Sequence, residues 1–326
     1  MTILITGVAG FIGAHVANTL LARGESVIGF DNLNSYYSGQ LKRDRLDHLC
    51  SGGDFSFHEL DVASLETMKS ALDDRKPTKL LHLAAQAGVR YSLQNPAAYT
   101  KANLEGHIAM LELVRMLEIE NMVYASSSSI YGGNTKIPFS ETDQTDDPVS
   151  FYGATKKSNE LMSQSYARLY GLSLTGLRFF TVYGPWGRPD MAYWLFAEKI
   201  LKQEPITIFN HGKMSRDFTY IDDIVAGIIA ALDRPAAQLA LPVPHRVYNL
   251  GNDRPEPLMD LIRLTEQSVG AQAIKQYEEM QAGDLERTWA DIDRARAELD
   301  YEPQVGLKDG LARFADWFLP RWKTYC

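Results

Sequence analysis

Thr2-Ile3-Leu4-Ile5-Thr6, with Gly7, Gly10 and Gly13 close behind it, decides the fold. The first five residues form a short apolar run without polar alternation, as expected of a strand buried on both faces. A helix-like stretch from Ala14 to Ala22 follows and ends before Gly24. Strand, glycine turn and helix in that order form a dinucleotide fingerprint. The glycines let the backbone approach a pyrophosphate, and the helix N-terminus offers it free N–H groups and a partial positive charge. The next apolar strand, Ser26 to Phe30, ends at Asp31. A carboxylate there can accept hydrogen bonds from the adenosine ribose and would repel a 2′-phosphate, so NAD is favoured over NADP.

Outward from this start the pattern repeats. A polar loop, Asn32 to Gly39, leads to a charged helix-like segment, Gln40 to Leu49. Phe55 to Leu60 reads as a strand closed by Asp61, whose carboxylate could meet an adenine amino group. Ser64 to Asp73 looks helical, with Ser64 as its N-cap. Lys79 to Leu83 is a buried strand closed by Ala84-Ala85, small residues that either let a cofactor pack on the backbone or begin a tight helix. Pro96 to Leu117 is one long helical pattern carrying Asn103, and Met122 to Ala125 runs as a strand into Ser126-Ser127-Ser128-Ser129. Strands alternating with helices predict an α/β fold, a Rossmann-like doubly wound parallel sheet. Ligands should collect where its strands end. The second half is less regular, with strands at Ser173–Phe180 and Val247–Leu250 and a helix at Pro257–Val269. We expect an NAD-binding domain over residues 1–180, with a returning segment near 216–252, and a smaller mixed α/β substrate-binding lobe over most of 181–326.

Chemistry is written in Tyr152-Gly153-Ala154-Thr155-Lys156. On a helix Tyr152 and Lys156 share a face one turn apart. An ammonium there would favour the phenolate of a tyrosine whose ordinary pKa, roughly 10, is too high for a base at neutral pH. A serine hydroxyl nearby could share the moving proton. Together these groups can take a proton from an alcohol beside a hydride acceptor.

Bulk properties narrow the class. With 41 acidic against 33 basic residues among 326, the net charge of -8 argues against nucleic-acid or membrane-surface partners. Two cysteines, Cys50 and Cys326, make no disulfide framework. No apolar run approaches the ~18 residues of a membrane span, and a strand at residue 2 leaves no signal peptide before it. A cytoplasmic enzyme with no metal site is expected.

The glycine pattern, Tyr152, Lys156 and the serines resemble the extended short-chain dehydrogenase/reductase family, in particular its nucleotide-sugar epimerases and dehydratases, over essentially the whole chain. Ala85 to Ser92, Ser126 to Gly132, Thr135 to Phe139 and Arg178 to Met191 resemble the branch acting at carbon 4 of UDP-uronic acids. The resemblance implies interconversion of UDP-glucuronate and UDP-galacturonate through a 4-keto sugar, tightly held NAD and a homodimer. It implies Tyr152 as the base, Lys156 as the group that lowers its pKa and holds the nicotinamide ribose, and Ser127 as the partner of the 4-oxygen. For the cofactor it implies Gly7, Gly10, Phe11, Ile12, Gly13, Asp31, Asn32, Asn34, Asp61, Val62, Leu83, Ala84, Ala85, Asn103 and Ser126, beside Tyr152 and Lys156.

The serines also separate reactions. Related dehydratases carry aspartate and glutamate at the positions of Ser128 and Ser129, and related UDP-glucuronate decarboxylases carry glutamate at that of Ser129. Neutral hydroxyls cannot serve as general acids at pH 7, which disfavours elimination. Decarboxylation is the alternative that remains, together with epimerisation of another UDP-hexose, because a 4-keto uronate is a β-keto acid. A non-enzymatic dinucleotide-binding protein is the third. Ser128, Ser129, Thr181 and Arg188 are expected to hold the uronate carboxylate; Ser129 could instead cap a strand end, and Arg188 could meet phosphate or solvent. Met191 belongs to the same loop. The family pattern puts Arg216 on the diphosphate and Asp284 on a uridine ribose hydroxyl. Gln281 stands where hexose epimerases carry a phosphate-binding arginine, and Arg287 is the candidate to replace it; Arg90 either faces substrate or pairs with a carboxylate.

Overall fold

Seven parallel strands form the main sheet of the computed structural model, which describes residues 1–281 and 284–326. Ala282 and Gly283, which precede Asp284 in the chain, lie outside the described residues. In chain order the strands are β1 (Thr2–Thr6), β2 (Ser26–Asp31), β3 (Phe55–Glu59), β4 (Lys79–His82), β5 (Asn121–Ser127), β6 (Leu174–Phe179), β7 (Thr181–Tyr183), β8 (Pro205–Ile208), β9 (Ser215–Tyr220), β10 (His245–Leu250), β11 (Pro255–Pro257) and β12 (Ile274–Tyr277). The main sheet runs β10-β6-β5-β4-β1-β2-β3. Strand order reverses between β1 and β4, the place where a doubly wound sheet opens a crevice at its strand ends. Phe11–Ala22, Gly39–Leu49 and Ile221–Asp233 pack together on one face; Leu65–Leu72, Gly106–Leu117 and Phe151–Tyr170 pack together on the other. Central strands buried on both sides explain why Ile3, Leu4, Ile5, Leu80, Leu81, Met122 and Val123 read as unbroken apolar runs.

After β6 the chain leaves the sheet. β7 and β11 flank β9 in a three-stranded sheet, and β8 pairs with β12. Ile221–Asp233 and β10 then return to the main body. Three local expectations change. The Pro96–Leu117 pattern is one helical run interrupted by a π-helical stretch, Thr100–Glu105, which contains Asn103. Ser64 occupies its N-cap position, but its hydroxyl meets Thr67 Oγ1 at 2.6 Å instead of a backbone N–H. A helix at Val89–Gln94 has no anticipated counterpart, being short and lacking a long apolar period. Among the described residues no helix is long and apolar enough to cross a membrane, and no cluster of ligating residues could hold a metal.

Several histidines sit inside this body. His82 Nδ1 lies 2.8 Å from Thr6 Oγ1, His107 Nε2 2.9 Å from Ser163 Oγ, and His245 Nε2 2.8 Å from Tyr124 OH. Burial lowers the pKa of His82 to about 3 and that of His245 to about 4, and holds His107 well below 6.5. A folded-state value below the unfolded one means that unfolding takes up protons. Stability is therefore complete above about pH 6.5 and is lost as pH falls toward the folded values, at up to ~1.4 kcal/mol per pH unit for each histidine. The urea midpoint is expected to fall steeply between pH 6.5 and about 4, less so in His107→Gln, which keeps a partner for Ser163. A midpoint flat across that range would contradict this account.

Candidate active site

The glycine turn is shaped by contact. Gly7 has φ +72°, and a Cβ there would stand 2.7 Å from Ala84 N; one on Gly13 would stand 2.2 Å from Gly7 O. Side chains are therefore excluded where β1 gives way to the first helix, and the helix N-terminus opens on the crevice. Asp31, 9 % exposed, accepts from Ala9 N at 3.1 Å and Leu33 N at 2.9 Å, so it braces the turn as well as facing the cleft. Burial raises its pKa, opposed by those N–H groups and by Lys42 and Arg45. The buried Arg45 also ties the turn to the second half of the chain, donating to Ala9 O at 3.1 Å, Trp186 O at 2.8 Å and Gly187 O at 2.6 Å.

One cleft gathers Gly7, Gly10, Phe11, Ile12, Gly13, Asp31, Asn32, Asn34, Asp61, Val62, Leu83, Ala84, Ala85, Ser126, Ser127, Tyr152, Lys156, Arg188 and Met191. Asn103 is not among its lining residues. It is 1 % exposed, with its side chain spent on Gln86 N (2.8 Å), Gln86 O (3.1 Å) and Thr155 Oγ1 (3.0 Å). It thus clamps the loop after β4 to the helix that carries Lys156. A free N-terminal turn, Cβ-free glycines and a ribose-height carboxylate fit a dinucleotide.

A second cleft, of about 740 Å³, shares Ser127, Tyr152, Arg188 and Met191 with the first and adds Arg90, Ser128, Ser129, Thr181, Arg216 and Asp284. Arg287 does not line it: its backbone bridges Ser215 and its side chain faces solvent. Arg90 both lines the cleft and pairs with a carboxylate, Asp284 Oδ2, at 3.2 Å, while lying over the ring of Phe209. Arg216 Nη1 donates to Ser215 O at 2.9 Å and Glu286 O at 3.2 Å; burial lowers its pKa, and Asp284 works against that.

At the shared wall, the Phe151–Tyr170 helix begins where Ser150 Oγ accepts from Gly153 N at 3.0 Å. A Cβ on Gly153 would stand 2.6 Å from Ser129 O, so this glycine lets the helix lie directly against the serine turn. Ser127 Oγ accepts from Ser129 N at 3.2 Å and caps that turn. Lys156 Nζ donates to Ala125 O at 2.8 Å, and burial lowers its pKa to about 8. Burial raises the pKa of Tyr152; the Ser127 hydroxyl opposes this first and the Arg188 guanidinium second. Arg188 is thus a cation beside Tyr152 that the sequence reading did not anticipate, while the Lys156 ammonium donates to a backbone carbonyl. Sequence reasoning also missed Tyr36, Lys42, Asp190 and Phe209, which line these clefts. An aromatic residue inside a polar loop and an acid two places after Arg188 were the available signals.

The fold and this wall define a dinucleotide-dependent enzyme. The NAD dependent epimerase/dehydratase family matches residues 3–251, and the chain belongs to it, with NAD as cofactor. UDP-glucuronate 4-epimerase 4 of Arabidopsis thaliana is 48 % identical over 98 % of this chain and 75 % of its own length. The crystal structure of UDP-glucuronic acid 4-epimerase from Bacillus cereus, in complex with UDP-glucuronic acid and NAD, superposes with a TM-score of 0.89 at 33 % identity, over 98 % of this chain and 99 % of that one. That of UDP-glucose 4-epimerase from Thermotoga maritima, with UDP-glucose, gives 0.88 at 31 % identity, over 99 % and 100 %.

Proposed function

We propose that this enzyme interconverts UDP-glucuronate and UDP-galacturonate at carbon 4, with NAD in the first cleft and the UDP-sugar in the second. The observation that carries the reading is the common wall: Tyr152 and Ser127 face both clefts, and the two residues that follow Ser127 on the sugar side, Ser128 and Ser129, are neutral hydroxyls. Bound in the first cleft, NAD would supply the acceptor, and then the donor, of the carbon 4 hydride. Tyr152 takes the 4-hydroxyl proton and later returns it. Ser127 hydrogen-bonds the 4-oxygen, and Lys156, with one N–H on Ala125 O, keeps two further donors for the nicotinamide ribose. Ser128 and Ser129 cannot deliver the extra protons that loss of water requires. Arg188, with Ser128, Ser129 and Thr181, holds the uronate carboxylate so that its bond to carbon 5 stays out of line with the carbonyl π system. Arg216 takes the diphosphate and Asp284 a ribose hydroxyl. The domain division at about residue 180, with 216–252 returning, and a cytoplasmic location belong to the same proposal; free Cys50 and Cys326 support the latter.

A homodimer is part of this reading. Ile108 and Met116 on one helix and Leu161, Leu169 and Tyr170 on its neighbour are exposed apolar residues, between 42 % and 67 % accessible, on the face expected to pair. Light scattering should give twice 36.6 kDa for the protein and a monomer for Leu161→Arg.

The decisive experiment is NMR of the products formed from UDP-glucuronate. UDP-galacturonate is expected. A UDP-pentose would make the enzyme a decarboxylase, and an inert protein that retains NAD would remove the proposal.

A further inference from the structure

Arg188 is not free in its loop. Its Nε donates to Asp190 Oδ1 at 3.0 Å and its Nη2 to Asp190 Oδ2, a two-point grip that leaves the Nη1 edge open. Asp190 is held in turn by Tyr36 OH, 3.2 Å from the same Oδ2. Tyr36 comes from the loop that follows Asp31, so the contact joins two distant parts of the chain.

That loop is itself fixed. Asn34 Oδ1 accepts from Tyr36 N at 3.2 Å and from Lys42 Nζ at 2.9 Å, and the Tyr36 ring lies 5.0 Å from that of Tyr91. Gly88 makes room for the contact. It has φ +104°, and a Cβ there would stand 2.9 Å from Tyr36 OH. Burial pushes the Tyr36 hydroxyl up to about 12, so it remains a donor at any working pH. Tyr36 and Arg188 line both clefts, whereas Asp190 lines only the sugar cleft.

We propose that Asp190, anchored by Tyr36, is the positioning residue that fixes Arg188 across the sugar cleft and links it to the loop that faces the cofactor's ribose. The inference rests on the reading that Arg188 faces the uronate carboxylate, and it assigns the aiming of that side chain to two residues to which the resemblance gives no role. An unanchored arginine would lose rotamer freedom on every binding event; one already gripped by Asp190 does not. Aim matters for the outcome as well as for affinity. In a 4-keto uronate whose C5–C6 bond swings into line with the C4 carbonyl, the electrons of that bond pass into the carbonyl. Carbon dioxide leaves, and the resulting enolate takes a proton at carbon 5 to give the 4-keto pentose.

Calorimetric affinities for UDP-glucuronate and UDP-glucose, together with the ratio of 4-keto-pentose to UDP-galacturonate by NMR, test this in Asp190→Asn, Asp190→Glu, Tyr36→Phe and Arg188→Met. Asp190→Asn is expected to weaken UDP-glucuronate about tenfold while leaving UDP-glucose nearly unchanged, and to raise the pentose fraction. Tyr36→Phe should move both readouts the same way by less, and Asp190→Glu should restore part of each. Tyr36→Phe keeps the test open should Asp190→Asn fail to fold, since it removes a single hydroxyl. If Arg188→Met loses the preference for UDP-glucuronate while Asp190→Asn and Tyr36→Phe keep it, Asp190 does not aim the arginine. If Arg188→Met also keeps the preference, the carboxylate reading is wrong and the positioning role goes with it.

Discussion

Tyr152→Phe is expected to lower kcat for UDP-glucuronate by roughly 10²- to 10⁴-fold, the usual worth of a positioned general base, with little change in melting temperature. The ring keeps its edge-on packing against Tyr99, at 6.0 Å between centroids, so phenylalanine preserves the shape of the wall. Only the proton acceptor is lost. The wild-type rate should also rise with pH, because burial holds the Tyr152 hydroxyl protonated beyond the ordinary phenol value and only the ionised form can accept the sugar's proton. Ser127 and Arg188 bring that ionisation closer to neutral pH. Ser127→Ala should therefore displace the rising limb to higher pH, and Tyr152→Phe should abolish it. A loss of less than about tenfold in Tyr152→Phe would mean that another group takes the proton.

What the sequence makes legible follows from what each signal depends on. The strands of the main sheet are visible because burial on both faces forces a run such as Leu80-Leu81 to be apolar throughout. The glycine turn is visible because close backbone approach leaves no choice of residue at Gly7 and Gly13. Tyr152 and Lys156 are visible because helical spacing alone puts them on one face. Direction is harder to read than placement. Lys156 lies where expected, but its Nζ is satisfied by Ala125 O, a carbonyl that local spacing does not reveal. Asn103, which the family pattern gives to the cofactor, is turned inward as a clamp, and Arg287, the candidate to replace a missing phosphate-binding arginine, is turned outward to solvent. Contacts between remote loops, such as that of Tyr36 with Asp190, leave no periodic trace at all.

The largest stability effect is expected where the central strands meet the helix of Tyr152. Register places Ser126 of β5, Arg178 of β6 and Asn249 of β10 in one row across adjacent strands. Glu160, from the helix above, closes the row. It accepts from Arg178 Nε at 2.9 Å, Arg178 Nη2 at 2.8 Å and Ser126 Oγ at 2.6 Å. Arg178 Nη1 reaches Tyr131 OH at 2.9 Å, and that hydroxyl donates to Asn249 Oδ1 at 2.6 Å. Arg178 is 4 % and Glu160 6 % exposed, so neither charge has water to fall back on. Glu160→Ala strands the guanidinium and should cost about 3–5 kcal/mol in urea unfolding; Glu160→Met with Arg178→Met should recover much of the loss, because no uncompensated charge remains. The single variant should also weaken NAD binding, since Ser126 lines the first cleft and loses the acceptor that orients it. The double variant removes that acceptor too, so NAD affinity should stay low even as stability returns. Recovery of both together would show that the network serves stability alone, whereas recovery of stability without affinity separates what holds the sheet from what positions Ser126.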